Sequence, residues 1–174
     1  MTWKKIVALI CVLAILFVVF FTVFYCRPLT LEQLSPGFDW DNVSGMAVQA
    51  DENVYVEPLF PGILKPDHYL RNYYGEFAPG DDCFDAVASI LQDRRFRRTL
   101  LPAKAVDFLG TDLWMVTLTA GDGSQSVTLT ATEHFSVLSA PGTTCTLAIP
   151  TQDNWGSEIL QYIHTYVEFE ELFF

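Results

Sequence analysis

Four arginines fall within five residues, Arg94-Arg95-Phe96-Arg97-Arg98, in a chain that is otherwise acidic. Guanidinium groups grip phosphate and carboxylate through paired hydrogen bonds. The chemistry this stretch suggests is therefore anion binding: a phosphate, a carboxylate-rich envelope polymer or lipid head groups. Read as the end of a helix, at about 100° per residue, the side chains divide. Arg94, Arg97 and Arg98 share one side, Arg95 points elsewhere and Phe96 turns to the core. Arg94, Arg97 and Arg98 are the candidate anion-binding residues. The competing reading is a helix C-terminus whose arginines neutralise acids such as Asp93 or Glu170.

Other reactive residue types are scattered. His68, His134 and His164 lie far apart in sequence, with no H-E-x-x-H pattern and no second histidine at helical spacing. A zinc site needs three or four converging ligands, which nothing in this spacing predicts. No G-x-S-x-G, P-loop or G-x-G-x-x-G motif occurs. Asp81, Asp82 and Asp85 lack the alternating ligands and central glycine of a calcium loop and read as helix-start residues. Cys83 has no nearby histidine or second cysteine to make it a nucleophile. Cys83 and Cys145 can form a disulfide in an oxidising compartment or pack as two reduced core thiols. No catalytic residue, cofactor or metal site is expected.

The elements that must position these residues begin with an anchor. The twenty residues Ile6 to Tyr25 carry no charge, and Lys4 and Lys5 precede them. As a helix this run is about 30 Å long, the thickness of a bilayer's hydrocarbon core. Trp3 and Tyr25 bracket it as interfacial aromatics do. The lysines put the N-terminus inside and the remainder outside, leaving only Arg27 close on the far side. The run is longer than a signal-peptide core, and Thr22-Val23-Phe24-Tyr25-Cys26-Arg27 has bulky residues where cleavage wants small ones. Phe24 and Tyr25 are also too large for a lipoprotein site at Cys26. An uncleaved, single-pass signal anchor is the reading.

Beyond residue 27, seven basic residues face all 21 acids, a balance of −14. That disfavours nucleic acid, whose binding needs basic patches, and disfavours lying flat on an anionic leaflet. The 147 residues left suffice for one domain with its own core. Asn42-Val43-Ser44 fits the N-glycosylation pattern, which matters only in a eukaryotic secretory pathway.

Periodicity then lays out the domain. Thr30-Leu31-Glu32-Gln33 is a capping box for a turn or two of helix. A strand is expected at Val43–Ala50, a turn at Asp51-Glu52-Asn53 and a short strand at Val54–Glu57. Pro58–Gly80, rich in proline, glycine and tyrosine, reads as an irregular loop. Phe84, Val87, Ala88 and Leu91 recur at helical spacing, and that helix should run past the arginines and stop before Pro102. Its apolar face is expected over Trp114, Val116 and Leu118. From there the period is two: Trp114–Thr119, a turn at Ala120-Gly121-Asp122-Gly123, Ser126–Thr132, His134–Ser139, a turn at Pro141-Gly142, and Thr144–Ile149. The meander has one apolar and one threonine-rich face. Trp155, Ile159, Tyr162, Ile163 and Tyr166 line a terminal helix, and Glu168–Phe174 is an acidic, aromatic tail.

The expected fold class is α+β: an N-terminal transmembrane helix (residues 1–27), a juxtamembrane connector (28–40) and an extracytoplasmic domain (41–174). In that domain an antiparallel meander of five or six strands carries two helices on one face. The layout, with Leu31-Glu32-Gln33-Leu34-Ser35-Pro36-Gly37-Phe38-Asp39 after the anchor and a Gly-Asp-Gly hairpin, resembles small uncharacterised signal-anchored extracytoplasmic proteins of Gram-positive bacteria. The resemblance implies a bacterial envelope protein. The expected function is a non-enzymatic binding or scaffolding module at the cell envelope, with an envelope polymer or a membrane protein as partner and no nucleic acid. Alternatives are a membrane-complex subunit docking through the tyrosine loop or tail, and an envelope enzyme.

Overall fold

A computed structural model describes residues 3–56, 67–99, 113–123, 125–134, 136–148 and 154–173. Helix α1 (Trp3–Tyr25) is apolar on all sides and has no buried residue. Strand β1 (Pro28–Leu29) follows at once, then the short helix α2 (Leu31–Leu34). The capping box of α2 is complete: Gln33 N–H donates to Thr30 Oγ1 at 3.4 Å, and Thr30 N–H donates to Gln33 Oε1 at 3.2 Å. A 3-10 turn at Trp40–Asn42 leads into the domain.

The remaining elements are β2 (Gly45–Val56), β3 (Asp67–Phe77), α3 (Asp82–Gln92), β4 (Phe96–Arg98), β5 (Trp114–Gly121), β6 (Ser126–Thr132), β7 (Ser136–Ala140), β8 (Thr143–Ala148), α4 (Trp155–Tyr166) and β9 (Phe169–Phe173). Among the described residues the strands form one antiparallel sheet in the order β1-β4-β8-β7-β6-β5-β2-β3-β9. The expected α+β class holds, with a wider sheet than the five or six strands expected. Short hairpins give the β5–β8 meander its antiparallel neighbours. Gly123 and Gly142 take positive φ (86° and 74°) at the two expected turns.

Alternation decides the two faces. Met46, Val48, Ala50, Trp114, Val116, Leu118, Val127, Leu129, Ala131, Leu138, Cys145 and Leu147 are buried on one side. The other side is hydroxyl-rich, with cross-strand pairs Thr117–Thr130 and Thr119–Thr128 at 3.3 and 3.1 Å between hydroxyl oxygens. Helix α4 rests on β5 and β6, and α3 packs against α4. The expected seat of α3 over Trp114, Val116 and Leu118 is thus taken by α4. Gly156 permits the close approach: a Cβ there would lie 2.8 Å from both Ala131 Cβ and the Trp114 ring.

Four further expectations are corrected. Asp51-Glu52-Asn53 does not turn the chain but continues β2, because Asp51 and Glu52 find cross-strand partners in Asn72 and Arg71. The expected loop holds an eleven-residue strand, β3. Its tyrosines suit a pleated, half-buried surface, and Gly75 leaves room for the Phe77 ring and Val167 beside it. The tail is strand β9, paired to β3 from Tyr69↔Phe173 to Tyr73↔Phe169. In α4 the buried stripe is Trp155, Gly156, Ile159, Leu160 and Ile163. Tyr162 and Tyr166 face out instead, 41% and 50% exposed and stacked on each other. The proline-rich part of the expected loop (58–66), Pro102, Ile149 and Phe174 lie outside the described residues.

Candidate functional site

Two places gather polar and charged side chains: the edge strand β4 and the wing formed by β2, β3 and the end of α4. The arginine run does not continue a helix. Helix α3 ends at Gln92, and Phe96–Arg98 is the strand β4, held between β1 and β8. Phe96 forces this, because it is buried and meets Trp155 edge-on with ring centroids 6.5 Å apart. Strand alternation then sends Arg97 to the side opposite Phe96 and Arg98.

The three candidate anion-binding residues therefore separate. Arg94 Nη2 donates to both carboxylate oxygens of Glu158 on α4, each at 3.0 Å. This pairing, and not one with Asp93 or Glu170, clips α3 to α4. Arg98 turns inward: its Nη2 donates to the Leu34 carbonyl at 3.5 Å, and its guanidinium carbon lies 5.4 Å from the Tyr25 ring centroid. That is cation–π range, so Arg98 ties the end of α1 to the domain. Arg97 is exposed, as are Arg95 and Arg27. The shared side expected of Arg94, Arg97 and Arg98 follows from helix geometry, which the strand Phe96–Arg98 does not provide.

Cys83 and Cys145 are both buried free thiols. Burial pushes each thiol up from its ordinary pKa. Asp81 adds to the rise at Cys83, while the Arg98 charge opposes it at Cys145. Neither is poised as a thiolate nucleophile. Asp81 sits at the N-cap of α3, but its carboxylate accepts from Ala78 N–H at 2.7 Å and makes no side-chain bond to the helix. Among the described residues no three His, Cys, Asp or Glu side chains converge as metal ligands do.

The second place was missed by sequence reasoning. Glu52 continues the inward face of Met46, Val48 and Ala50 beyond the apolar core, opposite Arg71 on β3 and Trp114 on β5. His164 descends from the end of α4, its Nε2 3.5 Å from Glu52 Oε2. Tyr73 OH donates to the same oxygen at 3.5 Å, and its ring lies 4.9 Å from that of His164. Burial first, then the Glu52 charge, raises the Tyr73 phenol above its ordinary pKa, against the opposing pull of Arg71. Arg71 Nη2 donates to Tyr69 OH at 2.8 Å. On the opposite face, buried Asp51 accepts from the side-chain amides of Gln49 and Asn72. The signal was the pairing of Asp51 and Glu52 with Asn72 and Arg71 across β2 and β3, which the apparent loop at 58–80 hid.

Glu52, Tyr73 and His164 form a carboxylate–phenol–imidazole group capable of moving a proton. Both contacts to Glu52 are long, and the side chains of Glu52 and His164 are part-exposed. A shallow, open groove of about 500 Å³ lies elsewhere, against Met46, Glu76, Phe77 and Asp81, and none of the proton-transfer group lines it. Set against known proteins, the chain matches no family model, no curated protein and no solved structure.

Proposed function

We propose that the protein is a single-pass, membrane-anchored extracytoplasmic module that binds or scaffolds a partner at the cell envelope without catalysing a reaction. The observation that carries this reading is the contrast between α1 and the rest. Helix α1 has no buried residue and is apolar on every side, while the sheet domain buries a core without it. A free helix of that kind in water would expose far more contiguous apolar surface than soluble proteins tolerate. Lys4 and Lys5 at its N-terminal side support an N-terminus inside and the acidic domain outside. The layout resemblance to signal-anchored proteins of Gram-positive bacteria supports the same setting.

The test is protease treatment of intact cells, with α1 retention checked by alkaline extraction. Digestion of the domain in intact cells is expected. Protection until the membrane is broken would reverse the orientation, and release by alkali would remove the anchor. A second reading, a subunit of a membrane complex, is favoured by the exposed Tyr162–Tyr166 stack on α4. Interfaces are enriched in such tyrosines. Co-purification from mild detergent of a membrane protein lost on Tyr162→Ser/Tyr166→Ser would support it.

A further inference from the structure

Among the described residues of this acidic domain, the arginines without an ion pair lie near the point where α1 ends. Beyond α1 the described arginines are Arg27, Arg71, Arg94, Arg95, Arg97 and Arg98. Three are engaged inside the domain: Arg71 with Tyr69, Arg94 with Glu158, and Arg98 with the Leu34 carbonyl and the Tyr25 ring. Arg27, Arg95 and Arg97 are exposed and make no ion pair with any described residue. All three sit on one edge. Arg97 lies on β4 as the register partner of Pro28, Arg27 immediately precedes β1, and Arg95 immediately precedes β4.

That edge cannot leave the bilayer surface. Pro28 is three residues beyond Tyr25, a reach of at most about 10 Å. Arg98 fastens the domain to Tyr25 itself, at the depth where interfacial aromatics sit. The distance is comparable to the Debye length at ordinary ionic strength, about 10 Å, so surface phosphates act on these charges. We infer that Arg27, Arg95 and Arg97 dock the β1–β4 edge onto the phosphates of anionic phospholipids around α1. The inference rests on α1 spanning a bilayer but not on which side the domain lies. Acids dominate the rest of the domain's charge, so the same leaflet repels it. The result is a fixed stance: the arginine edge down, β9 at the far end of the sheet. Guanidinium suits the task because it pairs phosphate oxygens through a planar fork.

The test uses the full chain in nanodiscs of phosphatidylcholine or of phosphatidylglycerol, with hydrogen exchange read over residues 27–35 and 94–99. Alkali-resistant flotation of the same protein with vesicles first checks the anchor, so failure there is failure of the membrane reading alone. Each arginine near an anionic surface is worth about fivefold in the docking equilibrium, so three give on the order of a hundredfold. Exchange in both segments should slow by up to that factor in phosphatidylglycerol and recover in high salt. R27Q/R95Q/R97Q should lose the slowing with an unchanged melting temperature, and R27K/R95K/R97K should keep most of it. Equal exchange in the two lipids would overturn the inference. So would slowing that survives the glutamine variant. Slowing by inorganic phosphate in phosphatidylcholine discs would mark a free-phosphate site and overturn the lipid assignment. Should the glutamine variant misfold, the lipid comparison on the wild type and lysine variant still decides.

Discussion

Two parts of one sheet face meet their neighbours in opposite ways. In the centre, β5 and β6 present Trp114, Val116, Leu118, Leu129 and Ala131 to α4, and every one is buried. One wing away, β2 and β3 present Glu52, Arg71 and Tyr73 to the end of the same helix, at His164. Strand β2 runs through both. Its inward positions pass from Met46, Val48 and Ala50 to Glu52 with no change of period. The comparison teaches that a strand's length is set by its cross-strand partners and not by where its apolar run stops. The centre is held by burial, the wing by backbone ladders and matched polar pairs. They should therefore fail differently.

The largest difference should come from truncation. Leu129→Ala or Leu91→Ala removes a fully buried side chain and should cost about 2–5 kcal/mol. Glu52→Gln, which replaces a part-exposed partner of His164, should cost under about 1 kcal/mol. Denaturant midpoints compare them directly, and equal losses would mean that the wing is packed as the centre is.

Overfilling sharpens the contrast. Gly156→Ala places a methyl 2.8 Å from Ala131 Cβ and the Trp114 ring, and neither can move freely. Despite the better helix propensity of alanine, the variant should be destabilised, by about 1–3 kcal/mol. A stabilised variant would show that α4 sits more loosely on the sheet than its contacts indicate.

The wing should show its own dependence on pH. Tyr73 has its pKa raised in the folded state by burial and by Glu52. The unfolded chain then releases the phenolic proton first as pH rises. Above the ordinary tyrosine pKa the folded state binds more protons, so stability falls with pH until the folded phenol also ionises. Tyr73→Phe removes this contribution and should lose less stability than wild type as pH rises above about 10. Identical slopes would mean that Tyr73 is open to solvent.

The smallest effect is the coupling of Glu52 to His164. A double-mutant cycle with Glu52→Gln and His164→Ala should return below about 1 kcal/mol, as exposed pairs do. A larger coupling would recast the group as a working proton-transfer site. The thiols supply a separate check: after unfolding in denaturant without reductant, all four cysteines should titrate as free. Two missing thiols would mean that Cys83 and Cys145 are bridged in the natural compartment.

By itself the sequence determined what depends on near neighbours. The apolar run of α1, the capping box at Thr30–Gln33, the apolar stripe Phe84, Val87 and Leu91 of α3 and the alternation of the β5–β8 meander were all legible, because each is a local period or a local hydrogen bond. Tertiary structure decided the rest. Whether Arg97 and Arg98 share a side depended on Phe96 being drawn into a strand by Leu29 and Trp155, residues distant in sequence. Whether 67–77 and 169–173 are strands depended on the sheet edge each was offered, since a ladder's bonds come from its partner. The clustering of Glu52, Tyr73 and His164 has the same cause: their separations in the chain exceed any helix or strand period, so only the folded register brings them together.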